Sequence, residues 1–577
     1  MKLKMQHPAR WATLRFFVLL LAAWVGGAPG RAAAGVFIPM ATTQTGPSRP
    51  GHMLLLPDGR VMVQQAANTN WFFLNPDLSG GNYFDGVWSN CPPMNFDRLY
   101  YASVVLPSGR VFIAGGEYNN NDPSPTNAFG LPAGGTAELF DPQANGGAGA
   151  WKFINPPTSL LDPSAGNGFF DAEGVLLSNG QVLVAPVSPG ESGGTLLYDP
   201  AANRWTAGGT VDSGSEDEAS WVKLPDNSIL TIDPFNTDCQ RYLPDSNTWI
   251  ADAPVPVELY STNGEIGAAM LLTNGTVLYF GGNNTNTSRI YTPSPLGGTN
   301  WGRWSPGPAI PQGRVMRDAP ACNLNNGKLL LTFVDPSADK PFYIYEYNVD
   351  SGDFNLVLTD SNSISDGSSL LQLPDGNVLF DDSRQMLVYQ PDPAPIAAGR
   401  PTIYSVSWNS DGSLHLTGTL FNGISQGAMY GDDAQQDSNY PLVRFTGGGN
   451  VYYGRSYNWS STGVMTGREI VSTEVAVPAA VLDFPAAYTV QVVANGNASA
   501  GIGFDSPVWV DFSFFNASNF YFGWYDFPYN TLANGVANVA SGGTIAIKSS
   551  SLVSSETLTI NKPMTIISVG GPSTIGN

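Results

Sequence analysis

An apolar run, a short polar turn ending in glycine or asparagine, and a second apolar run recur seven times along the chain. The seven stretches are "MLLLPDGRVMV", "SVVLPSGRVFIAGG", "GVLLSNGQVLVAP", "WVKLPDNSILTID", "AMLLTNGTVLYFGG", "ACNLNNGKLLLTF" and "SLLQLPDGNVLFDD". Their turn residues are Gly59, Gly109, Gly180, Asn227, Gly275, Gly327 and Gly376, spaced by 50, 71, 47, 48, 52 and 49 residues. Apolar runs joined by Asn-Gly or Asp-Gly predict β-hairpins, with φ > 0 expected at both turn residues. Asn227 is the one replacement, and asparagine tolerates the left-handed region. A third strand follows each hairpin and then usually a tryptophan, as in "AELFDPQ" to Trp151, "LLYDPAANRW" to Trp205, "QRYLPDSNTW" to Trp249 and "RIYTPS" to Trp301 and Trp304. Four short strands in a period near 50 predict propeller blades, and seven units predict seven blades.

The seventh unit ends at "MLVYQPDPAP" without a tryptophan strand. The segment "GVFIPM" near the start resembles the "GVWSNCPPM" before the second hairpin, so it is expected to supply the missing outer strand and close the ring. The long second interval carries an insertion, "YNNNDPSPTNAFGLPAGG", expected to be a loop on one face. The repeat stops at the Pro-rich "PDPAPIAAGRP". Shorter alternating strands come next, among them "SLHLTGTL", "YPLVRF", "NVYYGRSYNW" and "AYTVQVVANG", and predict an antiparallel sandwich of immunoglobulin type. The final segment repeats "TIAI", "LTIN" and "MTII", phrases similar to the rungs of right-handed parallel β-helices of the pectate-lyase sort. One or two rungs bury little core alone, so the tail is expected to be truncated or to dock elsewhere. The expected class is all-β: a propeller over 35–395, a sandwich over 399–515 and a β-helix-like tail over 516–577.

The first 34 residues read as a secretory signal: Lys2, Lys4, Arg10 and Arg15 precede an apolar run from Phe16 to Val25, and "RAAAG" offers a small-residue cleavage site. That run is too short to span a bilayer, and no later segment is long enough, so a secreted protein is expected, extracellular or periplasmic, and not embedded in a membrane. The leader holds five basic residues and no acid, so its removal takes the net charge from −21 to −26. Such a field repels phosphate backbones and argues against nucleic acid as a partner. Cys91, Cys239 and Cys322 form neither a disulfide framework nor a metal spacing, and allow one bridge at most.

The hairpin glycines, the paired Gly115–Gly116 and Gly281–Gly282, and the spaced tyrosines and tryptophans resemble kelch-repeat propellers. A secreted kelch propeller followed by a sandwich, with "FPAAYTVQVVANGNASAG" similar to the closing strand pair of an early-set domain, resembles the galactose oxidase family of copper radical oxidases over 35–515. In that family copper is held by two tyrosines and two histidines, one tyrosine being linked to a cysteine. At the cysteine's place this sequence has Asp171, at the linked tyrosine's place Glu218, and at the Tyr-His pair Asp366-Gly367. The sandwich's one histidine, His415, lies mid-strand in "SLHLTG", and His52 is the other outside the leader. Copper prefers imidazole and thiolate ligands. The resemblance therefore extends to the fold, with copper chemistry and other cofactors not expected.

Just before each inner strand the units place Pro50, Tyr100, Asp171, Glu218, Ile266, Asp318 and Gly367, with Asp217, Glu265, Arg317 and Asp366 one residue earlier and Arg98 two before Tyr100. Five of seven units thus bring a carboxylate to one mouth of the channel. The acids are either ordinary solvated junctions or a pocket for sugar hydroxyls or a hard cation such as calcium. Trp71, Phe72 and Phe73 are candidates for sugar stacking or for packing between blades, and "DDAQQDSN" at 432–439 for calcium or a solvated turn. Sequons stand at Asn274, Asn283, Asn286, Asn458, Asn497 and Asn516. The leading expectation is a non-catalytic recognition protein binding carbohydrate or another surface polymer at the mouth. The alternatives are a copper-independent hydrolase or lyase, a divergent oxidoreductase, and a structural module of a cell-surface protein.

Overall fold

The computed structural model describes residues 34–576 except 42–45, 117–134, 163–167, 170, 186–193, 213–215, 217, 263, 283–284, 393, 428–437, 484–486 and 550–552. The leader to residue 33, nearly all of the insertion after Gly116, Asp217 and most of the "DDAQQDSN" stretch lie outside the described residues.

Seven four-stranded antiparallel sheets form a propeller. Blade 1 comprises Pro50–Leu55, Val61–Gln65, Trp71–Asn75 and Val87–Cys91. The inner strands of blades 2 to 7 are Ala102–Val105, Gly174–Leu176, Val222–Lys223, Ile266–Leu271, Ala321–Asn323 and Ser369–Gln372. The ring closes as the sequence predicts. Val36–Pro39 pairs antiparallel with Met386–Gln390 as the fourth strand of blade 7, Val36 opposite Gln390 and Pro39 opposite Leu387. Inner strands of blades 1 and 7 then pack side by side.

The hairpin code has a local cause. In every blade a buried leucine (Leu56, Leu106, Leu177, Leu224, Leu272, Leu324, Leu373) accepts at its carbonyl the N–H of the turn residue three positions on, at 2.8 to 3.0 Å. The residue before that turn glycine or asparagine is Asp, Asn or Ser, and its side chain takes the following N–H, as Asp58 does from Arg60 and Asn274 from Thr276. Only the turn residue itself has positive φ, from 67° at Asn227 to 89° at Gly376. This is the three-residue loop with a glycine bulge, not the two-residue turn with both φ positive that the Asn-Gly pattern suggests.

The recurrent tryptophans clasp neighbouring blades. Trp151 donates its indole N–H to Pro92 O at 2.9 Å and Trp304 to Ala253 O at 2.7 Å, each reaching the backbone just past the fourth strand of the preceding blade. Trp205 does the same to Ile154. Trp301 instead stands 57% exposed. Trp71 and Phe73 are buried in the blade core, which removes them as sugar platforms. The three cysteines are buried and free.

Beyond the propeller, eight antiparallel strands between Thr402 and Asp505 form one continuous sheet, with Asn450–Tyr457 pairing to both of its halves. Leu414, Leu416 and Val475 from one half meet Val443, Phe445, Val490 and Val492 from the other in a single core. Val508–Val510, Thr544–Lys548 and Thr565–Val569 then form a parallel sheet in which Val508, Ile545 and Ile566 stand in register. "TIAI" and "MTII" are thus adjacent parallel strands, whereas "LTIN" forms no strand. The first strand of this sheet lies within the span that the sequence assigns to the sandwich. Trp509, Ala546 and Val569 pack against Leu482, which docks the tail on the preceding domain. No helix among the described residues is long and apolar enough to cross a membrane.

Candidate binding site at the open mouth of the propeller

The eight-stranded domain covers one face of the ring. Tyr453 lies over Gly59, Arg455 over Gly109, Met465 over Gly275, Ile396 over Gly327 and Gly496 over Gly376, all hairpin turns. Asn458 donates to Pro107 O at 2.7 Å and Thr462 to Leu177 O at 2.7 Å. The buried Lys223 ammonium reaches back to Thr462 O at 2.8 Å, and Asn323 donates to Gln426 O. The hairpin face is therefore the sealed one. The junctions that lead into the inner strands lie at the opposite mouth, where Tyr100, Asp171, Glu218, Glu265, Asp318 and Asp366 are found.

Those junctions share a backbone feature. Tyr100, Asp171, Glu218 and Asp318 hold φ of 56°, 43°, 56° and 34°, the left-handed region that side-chain-bearing residues rarely adopt. In blade 5 Gly264, at φ 90°, takes that role next to Glu265. Each such non-glycine residue costs about 1–3 kcal/mol, which the surrounding sheets must offset.

The predicted residues that are described do not all line one recess. Tyr100 and Asp366 line a common half-open recess with Gly51, His52, Gln64, Tyr101, Ser368, Ser369 and Ser383, drawn from blades 1, 2 and 7. Burial and the charge of Asp318 on blade 6 raise the Asp366 carboxyl above the usual carboxylate range. Arg317 pairs with Asp339, and its carbonyl accepts the Ser365 hydroxyl at 2.9 Å. Asp171 is buried at the start of blade 3, and Glu218 and Glu265 are half-buried at blades 4 and 5. Arg98 does not face the mouth. It is fully buried, donating to Gly115 O, Thr136 Oγ1 at 2.8 Å and Glu138 Oε1 at 2.8 Å. Nor is Glu216, first of the three-acid run, a ligand: it is buried against Trp221 and Thr231.

Sequence reasoning missed the rest of the recess. His52 shares a 2.7 Å hydrogen bond with Ser103, and burial depresses its imidazole to about 4, so it is neutral at pH 7. Gln64 Oε1 accepts the Tyr101 hydroxyl at 2.6 Å while its amide donates to Asn68 O and Arg98 O. Ser369 donates to Asp381, and Ser383 to Gly367 O. The one usable signal is His52, a histidine at the opening of an inner strand.

The donor set does not fit a copper site of two phenolates and two imidazoles. His415 lies in the eight-stranded domain with Nδ1 bound to Glu474 at 2.9 Å, leaving His52 as the imidazole of the recess. Among the described residues no three of His, Cys, Asp and Glu come together in a way that would hold a metal ion.

No protein-family model matches the chain, and no curated protein matches it. Among solved structures it is similar to a fungal alcohol oxidase of the AA5 family in complex with copper, at 14% identity and a TM-score of 0.47, over 82% of this chain and 99% of that one. It is similar to a streptogramin B lyase at 11% identity and a TM-score of 0.41, over 62% and 98% of the two chains. It is also similar to the extracellular domain of a two-component system protein of B. thetaiotaomicron, at 14% identity and a TM-score of 0.40, over 66% and 44%. Likeness at this level transfers no activity and no residue role.

Proposed function

We propose that the protein is an exported, non-catalytic recognition protein of kelch and galactose oxidase-like ancestry that has lost the copper site, and that its open mouth binds carbohydrate or another extracellular polymer. The observation that carries this reading is a half-open recess on the face opposite the covered hairpin turns, lined by Tyr100, Asp366, His52, Gln64 and three serines. Such lining suits ligands rich in hydroxyl and amine donors, because carboxylates only accept and serine hydroxyls do both. Left-handed backbone at four mouth residues is the strain that folds retain at ligand sites. The net charge of −21 leaves anionic polymers as poor partners. Calcium is the cation that carboxylates at such a mouth would suit best. A binding array of extracellular glycans, read for retention and for released product, tests the proposal: retention without turnover supports it, and product release sinks it.

One observation favours catalysis as a second reading. Burial holds the His52 imidazole neutral at pH 7, able to take a proton, and raises the Asp366 carboxyl within the same recess, so a candidate base and a candidate acid share one space. A hydrolase or lyase would then lose turnover, with binding kept, in His52→Gln.

A further inference from the structure

A second cavity lies away from the mouth, in the seam between the eight-stranded domain and the tail, and its chemistry stands apart from that of the recess. The seam is built by close contact. The turn at 409–413 leads into the strand Leu414–Thr419, and within it Gly412 holds φ 88°. A Cβ at Gly412 would lie 2.9 Å from Val569 Cγ1, so glycine lets the turn meet the last strand of the tail. Ser410 O accepts the Gly570 N–H across the same contact. Beside it opens a cleft of ≈ 240 Å³, lined by the turn, by Tyr457 and Ala476 at the ends of their strands, and by Tyr525 and Val569 of the tail.

Its lining is apolar on one side and hydroxyl-binding on the other. Ala476, Val477, Leu482 and Val569 supply the apolar surface. Tyr457 and Tyr525 supply phenol hydroxyls, neither of which has a hydrogen-bond partner among the described residues. Asp411 is exposed to solvent, and Ser413 takes one of its oxygens, donating its N–H to Oδ1 at 2.9 Å and its hydroxyl at 2.6 Å. Those bonds hold the carboxyl below the usual carboxylate range, so at pH 7 it is ionised and its Oδ2 is an accessible acceptor.

Size and charge narrow the ligand. On the same measure one water needs roughly 10–15 Å³, so the cleft has room for on the order of fifteen to twenty waters, enough for a pyranose ring. A cation from the chain already stands against each tyrosine: the Arg455 guanidinium 4.5 Å from the Tyr457 ring centroid, and the Lys548 ammonium 3.8 Å from that of Tyr525. An ammonium ligand meets those two cations, and an anionic ligand meets Asp411. A neutral polyol meets neither obstacle. Its hydroxyls donate to the carboxylate and exchange hydrogen bonds with the phenols, while its C–H surface lies on the apolar side.

We propose that the seam is a second ligand site that takes a sugar ring of a neutral glycan, with Asp411, Tyr457 and Tyr525 as its hydrogen-bonding groups.

Calorimetric titration of the full chain at pH 7.5 tests this with cellotetraose, mannotetraose and galactotetraose, and with the tetramers of glucosamine and galacturonic acid as charged counterparts. At least one neutral tetramer should bind, tenfold or more tighter than either charged one. Asp411→Asn keeps an oxygen for Ser413 but loses the anionic acceptor, and should weaken that binding tenfold or more. Ala476→Leu fills the cleft without removing a side-chain hydrogen bond, and should abolish it. A charged tetramer that binds as tightly as the neutral ones overturns the inference, as does unchanged affinity in either seam variant. Binding lost in Asp366→Asn but kept in both seam variants puts the ligand at the mouth, so the seam inference falls while recognition at the mouth stands. If no neutral tetramer binds, the seam inference falls and the glycan array decides the mouth on its own. Near-ultraviolet circular dichroism shows that the variants keep the fold, and the wild-type comparison of neutral with charged tetramers needs no variant.

Discussion

The Glu216 carboxylate accepts the Trp221 indole N–H at 2.7 Å and the Thr231 hydroxyl at 2.6 Å, with one oxygen serving both donors. This ties the loop entering blade 4 to that blade's second strand and gives the first acid of the three-acid run a structural role rather than a chemical one. Charge-assisted hydrogen bonds of this kind are worth about 1.5–3 kcal/mol each when buried. Glu216→Ala should therefore destabilise the protein by about 3 kcal/mol or more, read as a lowered denaturant midpoint. An unchanged midpoint would show that the carboxylate is not part of the core.

Ring closure rests on one short strand. Phe37, at its centre, packs its ring 4.8 Å from Tyr389 and 5.5 Å from Phe380. It is half-buried, so Phe37→Ala should cost about 2 kcal/mol, less than the roughly 3–5 of a fully buried phenylalanine. Deleting residues 35–40 should cost far more, because it also exposes the edge of Met386–Gln390 to edge-to-edge association. Size-exclusion chromatography of the deletion should show higher-order species, and a monomer of native midpoint would contradict the closure role.

Asp381 gives the fold a pH dependence of definite sign. It is fully buried beneath the recess, and desolvation raises its carboxyl to about 7, partly countered by hydrogen bonds from Ser369 and Ser383 and reinforced by the neighbouring Asp382. The folded-state value lies above the unfolded one, so the native state favours the protonated acid. This contribution is full below about pH 4 and is lost as pH rises through about 7. It amounts to a few kcal/mol, since each tenfold change in an acid's dissociation constant is worth about 1.4 kcal/mol. Asp381→Asn keeps the hydrogen-bonding shape but cannot ionise. Its stability relative to wild type should therefore grow between pH 5 and pH 8, and a difference that stays constant over that range would refute the assignment.

How much of the molecule is legible in its sequence depends on the range over which each feature is determined. The hairpins are legible because the code is local: the leucine, the Asp, Asn or Ser cap and the left-handed glycine interact within five residues. Closure by Val36–Pro39 is legible because the closing strand repeats a phrase found elsewhere in the chain. The recess is not, since Gln64, Tyr101, Asp366 and Ser383 come from three blades and meet only when the ring shuts. Arg98 misleads for a related reason. Its number places it near the mouth, but Glu138, forty residues on, pulls its guanidinium into the core. "LTIN" misleads because an alternating apolar phrase signals a strand only where a neighbour is available to pair with it.

Copper supplies the last prediction, and it turns on donors rather than on fold. A copper centre of the oxidase type requires imidazole and phenolate ligands converging on one point. At the mouth His52 offers one imidazole, whose Nε2 is shared with Ser103. Asp171 and Glu218 stand where the resemblance places the cysteine and the linked tyrosine, and His415 is bound to Glu474 in the other domain. Carboxylates are hard donors that favour calcium or magnesium over copper. The purified protein should therefore hold well under one copper per chain after incubation with the metal and dialysis. It should also release no hydrogen peroxide from galactose or simple primary alcohols. Metal analysis by mass spectrometry together with a peroxide assay decides the matter: stoichiometric copper with alcohol-dependent peroxide would mean that residues outside the described set complete a site the mouth itself does not show.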